Sequence, residues 1–139
     1  MHQDGGPHDH GCGELSMVRD FRQLLIWQKA HRLALDIHLA FETLPSKRYT
    51  GLRAQTLRAA ASIPANIAEG CGKPSKAELA RFSEIALGSV TELDNHLLFA
   101  REVRMLDPQC YAEFEPRVAE LRRMLFSFVR AVRSRTTPP

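Results

Sequence analysis

The chain has 139 residues, 44% of them hydrophobic and 25% charged, which suits one folded domain and excludes wholesale disorder. Its longest run of large apolar residues is Leu24-Leu25-Ile26-Trp27, far short of the ~20 residues a membrane span requires. No charged start followed by an apolar stretch and a cleavage site marks a secretion signal. Three widely spaced cysteines, Cys12, Cys71 and Cys110, form neither a disulfide framework nor a zinc knuckle. These observations point to a cytoplasmic protein with no membrane segment.

The net charge of +3 is unevenly distributed. Residues 1–20 carry Asp4, Asp9, Glu14 and Asp20 against Arg19, a net of −3, so the remainder holds 18 basic and 12 acidic side chains, a net of +6. Fifteen of the nineteen basic residues are arginine, the side chain suited to bidentate phosphate contact. The last nineteen residues contain Arg122, Arg123, Arg130, Arg133 and Arg135 and no acid. Such an end fits a polyanionic partner, and it also fits an ordinary helix C-terminus.

Residues 1–19 form an acidic, His-rich stretch without apolar periodicity and are expected to be a disordered tail. His8, His10 and Cys12 match no structural metal spacing, so no metal and no cofactor is expected. Organised sequence begins just after Met17, which makes that residue a candidate start. The folded domain is placed at residues 20–135, with a short tail at 136–139.

Four helical patterns follow, and no segment alternates with the period of a strand. In the first, Trp27, Ala30, Ala34, Ile37, Phe41 and Leu44 are spaced by three and four, and Pro45-Ser46 ends it. The second runs from Thr50 to Gly70 and is rich in small residues, with Pro64 inside it as a local kink. The third opens at Ser75 with Glu78 three residues on, a capping box. Its expected core stripe is Leu79, Phe82, Ala86, Ser89, Leu93, His96, Ala100 and Val103. Asp107-Pro108 stops it and starts the fourth, whose stripe is Tyr111, Phe114, Val118, Leu121, Leu125, Phe128 and Val132. Pro116 suggests that the long part of this helix begins there. Short connections make neighbouring helices antiparallel, so the expected fold is an all-α, up-down-up-down four-helix bundle.

Several runs carry a family resemblance: Trp27-Gln28-Lys29-Ala30, Gly51-Leu52 with Gln55, Arg58-Ala59-Ala60, Ser62-Ile63-Pro64 and Asn66-Ile67-Ala68-Glu69-Gly70. Ser75, Lys76, Glu78, Arg81-Phe82, Ala86-Leu87-Gly88-Ser89 and Glu92-Leu93 extend it. The chain, over roughly residues 20–133, resembles the small "four helix bundle protein" family. That family includes proteins encoded within bacterial 23S rRNA intervening sequences and the accessory variability determinant of diversity-generating retroelements. The resemblance implies a barrel-like homopentamer and, from the retroelement members, binding of nucleic acid and a reverse transcriptase. The chain departs from the pattern at Leu57, where the family usually has a basic residue, and in its acidic first stretch.

Catalytic constellations are not evident. Glu92 and His96 are four apart, not the three of a di-iron Glu-x-x-His motif, and no second copy exists. His31 and His38 share a helix face without a carboxylate at ligand spacing, and Cys71, between two small residues at a helix junction, has no base in view. Phosphate-loop and dinucleotide fingerprints are missing. The chain is read as a non-enzyme.

Two surface rows are candidates for function. On the second helix Gln55, Arg58, Ser62, Asn66 and Glu69 share a face beside the small residues, and with Pro64 they are read as structural or inter-subunit. Asn66 is a candidate to answer the Ala60 carbonyl freed by Pro64. On the fourth helix Arg122, Arg123, Arg130 and Arg133 lie opposite the core stripe, with Phe126 amid them and Val129 at the edge. These arginines are the first choice for nucleic-acid contact, with Arg53 and Arg58 second, while Phe126 and Val129 are assigned to a subunit interface. The expectation is a homo-oligomer whose basic surface binds RNA or DNA. A protein-interaction scaffold is the alternative, docking an acidic partner.

Overall fold

A computed structural model describes residues 20–45 and 47–136, with side chains to Ser134. The expected tails at 1–19 and 137–139, the candidate metal residues of the first, and Ser46 lie outside the described residues. After one 3-10 turn at Phe21–Gln23 come four helices: α1 (Leu25–Glu42), α2 (Thr50–Cys71), α3 (Lys76–Glu102) and α4 (Pro108–Thr136). No strand occurs among the described residues, and none of their helices is long and apolar enough to cross a membrane.

The helix ends follow local chemistry. Ser75 Oγ accepts from the Glu78 backbone N–H at 3.1 Å, covering one orphan donor of α3. The Glu78 carboxylate accepts two hydrogen bonds from Arg81, at 3.2 and 3.4 Å, on the α3 surface. Asp107 Oδ1 accepts from the Gln109 N–H at 2.7 Å beside Pro108, in the first turn of α4. Between α3 and α4 the chain reverses with Arg104 at φ 64°, while the Met105 and Leu106 N–H groups both donate to the Ala100 carbonyl.

Consecutive helices pack together and α1 closes against α4. Cross-helix bonds fix the directions. Asp94 meets Arg122 and Glu84 meets Arg133, so α3 and α4 run antiparallel. Tyr49, at the start of α2, donates to the Val103 carbonyl at the end of α3 at 3.4 Å. At the other end Gly70 backs onto Phe82. Lys29 pairs with Glu120, and Asp36 with Arg117, which sets α1 antiparallel to α4. The bundle therefore alternates up and down around its four seams.

The core corrects several expected positions. In α1 the buried residues are Ile26, Ala30, Leu33, Ile37 and Phe41. Trp27 sits at the edge, stacked on His31 with centroids 4.5 Å apart, and Ala34 and Leu44 are only partly buried. In α3 Val90 and Leu97 fill the places given to Ser89 and His96, and Val103 is half-buried. Three-and-four spacing admits neighbouring registers, and in α3 the apolar residue takes the inward one over the polar neighbour. Tyr111 and Phe128 are likewise partly buried. Val129, assigned to an outer edge, is 7% exposed. Its edge of α4 is the one that α3 covers, between the Arg122 and Arg133 ion pairs.

Two buried hydroxyls escaped the pattern reading. Thr56 and Ser83 each donate to the carbonyl four residues back at 2.7 Å, which lets them sit in an apolar core. Pro116 does not begin a new helix: α4 runs through it, and both Pro116 and Ala112, whose carbonyl it leaves without a helical donor, are exposed. Cys71 is buried rather than presented, and burial pushes its thiol above the ordinary value, which makes it a poor nucleophile.

Candidate nucleic-acid interface

On α4, Arg123, Phe126 and Arg130 are exposed and follow one another at steps of three and four. Phe126 is 54% exposed, and the Arg130 guanidinium lies 6.0 Å from the centre of its ring. Arg123 and Arg130 make no hydrogen bond or ion pair with a carboxylate among the described residues. Arg122 and Arg133 differ. Arg122 donates to Asp94 at 2.7 Å and Arg133 to Glu84 at 2.7 Å, so both bind α4 to α3. The hydrogen bond from Arg133 holds the Glu84 carboxyl below the usual range and raises the guanidinium in turn. The stripe is thus two open cations and an aromatic, framed by two neutralised arginines.

The second-rank arginines part company as well. Arg58 is exposed on α2. Arg53 is turned inward, donating to the Leu44 carbonyl at 2.6 Å beyond the end of α1. That position makes it a clasp between α1 and α2.

Within the polar row of α2, Gln55 and Glu69 are exposed, Ser62 and Asn66 are half-buried, and Pro64 is buried. Ser62 donates to the Ala59 carbonyl at 2.7 Å. Asn66 Nδ2 donates to the Ser62 carbonyl at 2.8 Å, not to Ala60 as anticipated, because the i−4 carbonyl is the one an Asn side chain on a helix reaches. The other polar pairs are local: His96 and Glu92 lie 3.2 Å apart, as do His38 and Glu42. No group of three or more potential metal ligands occurs among the described residues.

Two features escaped the sequence reading. Between α1 and α2 runs an apolar groove lined by His31, Ala34, Leu35, His38, Leu57, Ala61 and Pro64. Leu35 and the neighbouring Leu39 are 40% and 58% exposed. Leu57, where the resembled family usually has a basic residue, contributes to this wall. Between α1 and α4 lies a second cleft walled by Leu25, Lys29, Arg32, Arg117 and Glu120. Single-helix periodicity cannot report either, since each combines two helices.

Residues 22–127 match the sequence model of the 23S rRNA-intervening sequence protein family. The chain belongs to that family. The match takes in the first three helices whole and α4 through Ser127, so Arg123 and Phe126 lie inside it and Arg130 beyond it. None of the curated proteins matches the chain. Among solved structures it resembles a protein of unknown function from the S23 ribosomal protein family of Bacteroides thetaiotaomicron. The two are 23% identical with a TM-score of 0.71, over 76% of this chain and 98% of the other. That likeness concerns the fold, and it covers nearly the whole of the other bundle.

Proposed function

We propose that this 23S rRNA-intervening sequence protein is a non-enzymatic homo-oligomer whose basic surface binds RNA or another structured nucleic acid. The observation that carries the reading is the placement of Arg123 and Arg130, exposed and in no carboxylate ion pair among the described residues, on either side of exposed Phe126 on α4. Guanidinium groups neutralise phosphates and an exposed ring gives a base a stacking surface. Arg58, exposed on α2, widens the positive field, while Arg122 and Arg133, paired with Asp94 and Glu84, stand behind the first line of contact.

Two exposed apolar surfaces support self-assembly. One is the α1–α2 groove with Leu35 and Leu39; the other is the α3–α4 seam, with Phe126 and Leu98. Those seams lie on opposite sides of the bundle, so a contact joining them is heterologous, and a closing rotation yields a ring. The family resemblance supports a pentamer for that ring. Repeating the open arginines around it multiplies weak single contacts. A reverse transcriptase or ribosomal RNA is the kind of larger machine such a ring would serve.

The test is a titration of a structured RNA across a salt series, comparing wild type with the Arg123→Ala/Arg130→Ala double variant. That variant leaves the Asp94 and Glu84 ion pairs intact. Steep salt dependence that flattens in the variant supports the reading. An assembled wild-type protein that fails to bind at low salt sinks it and leaves the scaffold for an acidic protein partner.

A further inference from the structure

The α1–α4 cleft has a volume of about 230 Å3 and is walled by cations from both helices. Lys29 and Arg32 come from α1 and Arg117 from α4, against one lining carboxylate, Glu120. Leu25 and Leu33 supply an apolar floor. The acids nearby hold two of these cations in place. Asp36 takes Arg117 at 2.8 Å, and Glu120 pairs with Lys29. Arg32 is held least: its side chain is 69% exposed and its one ion-pair contact, to Asp36, is 4.0 Å long. At that length and exposure Arg32 keeps donors available at the cleft wall.

Glu120 is itself an anion lodged among cations. The Lys29 hydrogen bond, with the charges of Arg123 and Arg117 behind it, keeps its carboxyl below the usual range. Its side chain is 42% exposed, so it is free to swing outward. Its departure would leave Lys29, Arg32 and Arg117 lining the cleft with one carboxylate nearby, Asp36, which contacts Arg117 at 2.8 Å and Arg32 at 4.0 Å. Planar guanidinium forks and an ammonium group are the donors that phosphate oxygens prefer.

We propose that this cleft is a binding site for a phosphate group, contacted by Lys29, Arg32 and Arg117, with Glu120 as the internal counter-ion that the ligand displaces. The phosphate comes either from a free diphosphate-type ligand or from a nucleic-acid backbone. The first source stands whether or not the α4 stripe binds RNA.

Calorimetric titration with inorganic pyrophosphate, and separately with a twelve-nucleotide single-stranded RNA, tests the site at low salt. Arg32→Ala, which gives up only a 4.0 Å contact, weakens binding about tenfold. Glu120→Gln removes the competing charge and tightens it about threefold. These opposite shifts seen with pyrophosphate identify a free ligand; seen with RNA alone, they identify a backbone phosphate. Any other pattern, including two unchanged variants or two shifts of one sign, overturns the proposal. Arg123→Ala/Arg130→Ala in the same RNA titration reports separately on the α4 stripe.

Discussion

Arg53 on α2 reaches beyond the last turn of α1 and donates to the Leu44 carbonyl at 2.6 Å, while its Nε is buried without a hydrogen-bond partner among the described residues. An arginine that sequence alone offers as a phosphate contact is thereby a clasp at a helix end, where a cation also meets the negative pole of α1. Arg53→Ala leaves that carbonyl unpaired, and a loss of about 1–3 kcal/mol is expected. Thermal unfolding should show a fall of roughly 3 °C per kcal/mol, with RNA affinity of the folded protein unchanged. A weakened affinity at constant stability would return Arg53 to the binding surface.

Gly70 and Gly88 should respond to alanine in opposite directions. A Cβ at Gly70 would lie 3.0 Å from the Phe82 Cβ and 3.3 Å from the Leu79 carbonyl, so α2 and α3 would have to move apart. Such overpacking costs about 1–3 kcal/mol, which exceeds the roughly 1 kcal/mol gained in helix propensity. At Gly88 nothing lies within 4 Å, and alanine should stabilise by about 0.5–1 kcal/mol. Denaturant midpoints of the two variants check the contrast.

Asn66 uses its amide to hold the Ser62 carbonyl beside Pro64. Asn66→Ala removes a half-buried bond whose net worth is about 1 kcal/mol. The expected result is a lower melting temperature or a smaller assembly by light scattering. Unchanged values of both would sink the structural assignment of this row.

The Glu84–Arg133 pair predicts an acid-side effect. The folded pKa of Glu84 is depressed, so the bond stabilises fully above the ordinary carboxylate value of 4.5 and fades as the pH falls through the lower folded value. Both side chains are 46% exposed, so the effect is small and weakens with salt. Glu84→Gln should lower stability slightly at pH 7, and its difference from wild type should shrink as the pH falls below 4.5. A difference that persists in acid would contradict the linkage.

Four helices were legible because apolar residues recur at three and four, and because Ser75, Asp107 and Pro108 mark ends that local bonds then occupy. The second helix lay within one residue of its observed bounds for the same reason. Exact inward positions were harder to read. Trp27 and Ile26, or His96 and Leu97, compete at neighbouring registers, and only the packed partner helix decides which is covered.

The α4 stripe was legible as composition, since one helix holds all of it. Its division into open Arg123 and Arg130 and paired Arg122 and Arg133 was not, because Asp94 and Glu84 come from α3 across the seam. The same holds for Val129, buried by that neighbour, and for the cleft in which Lys29 and Arg32 meet Arg117 and Glu120. Periodicity within a helix is a local property, and the sequence by itself determined the helices, their order and their family. Which charges are neutralised and which remain for a ligand depends on distances between helices, and tertiary packing alone decided those.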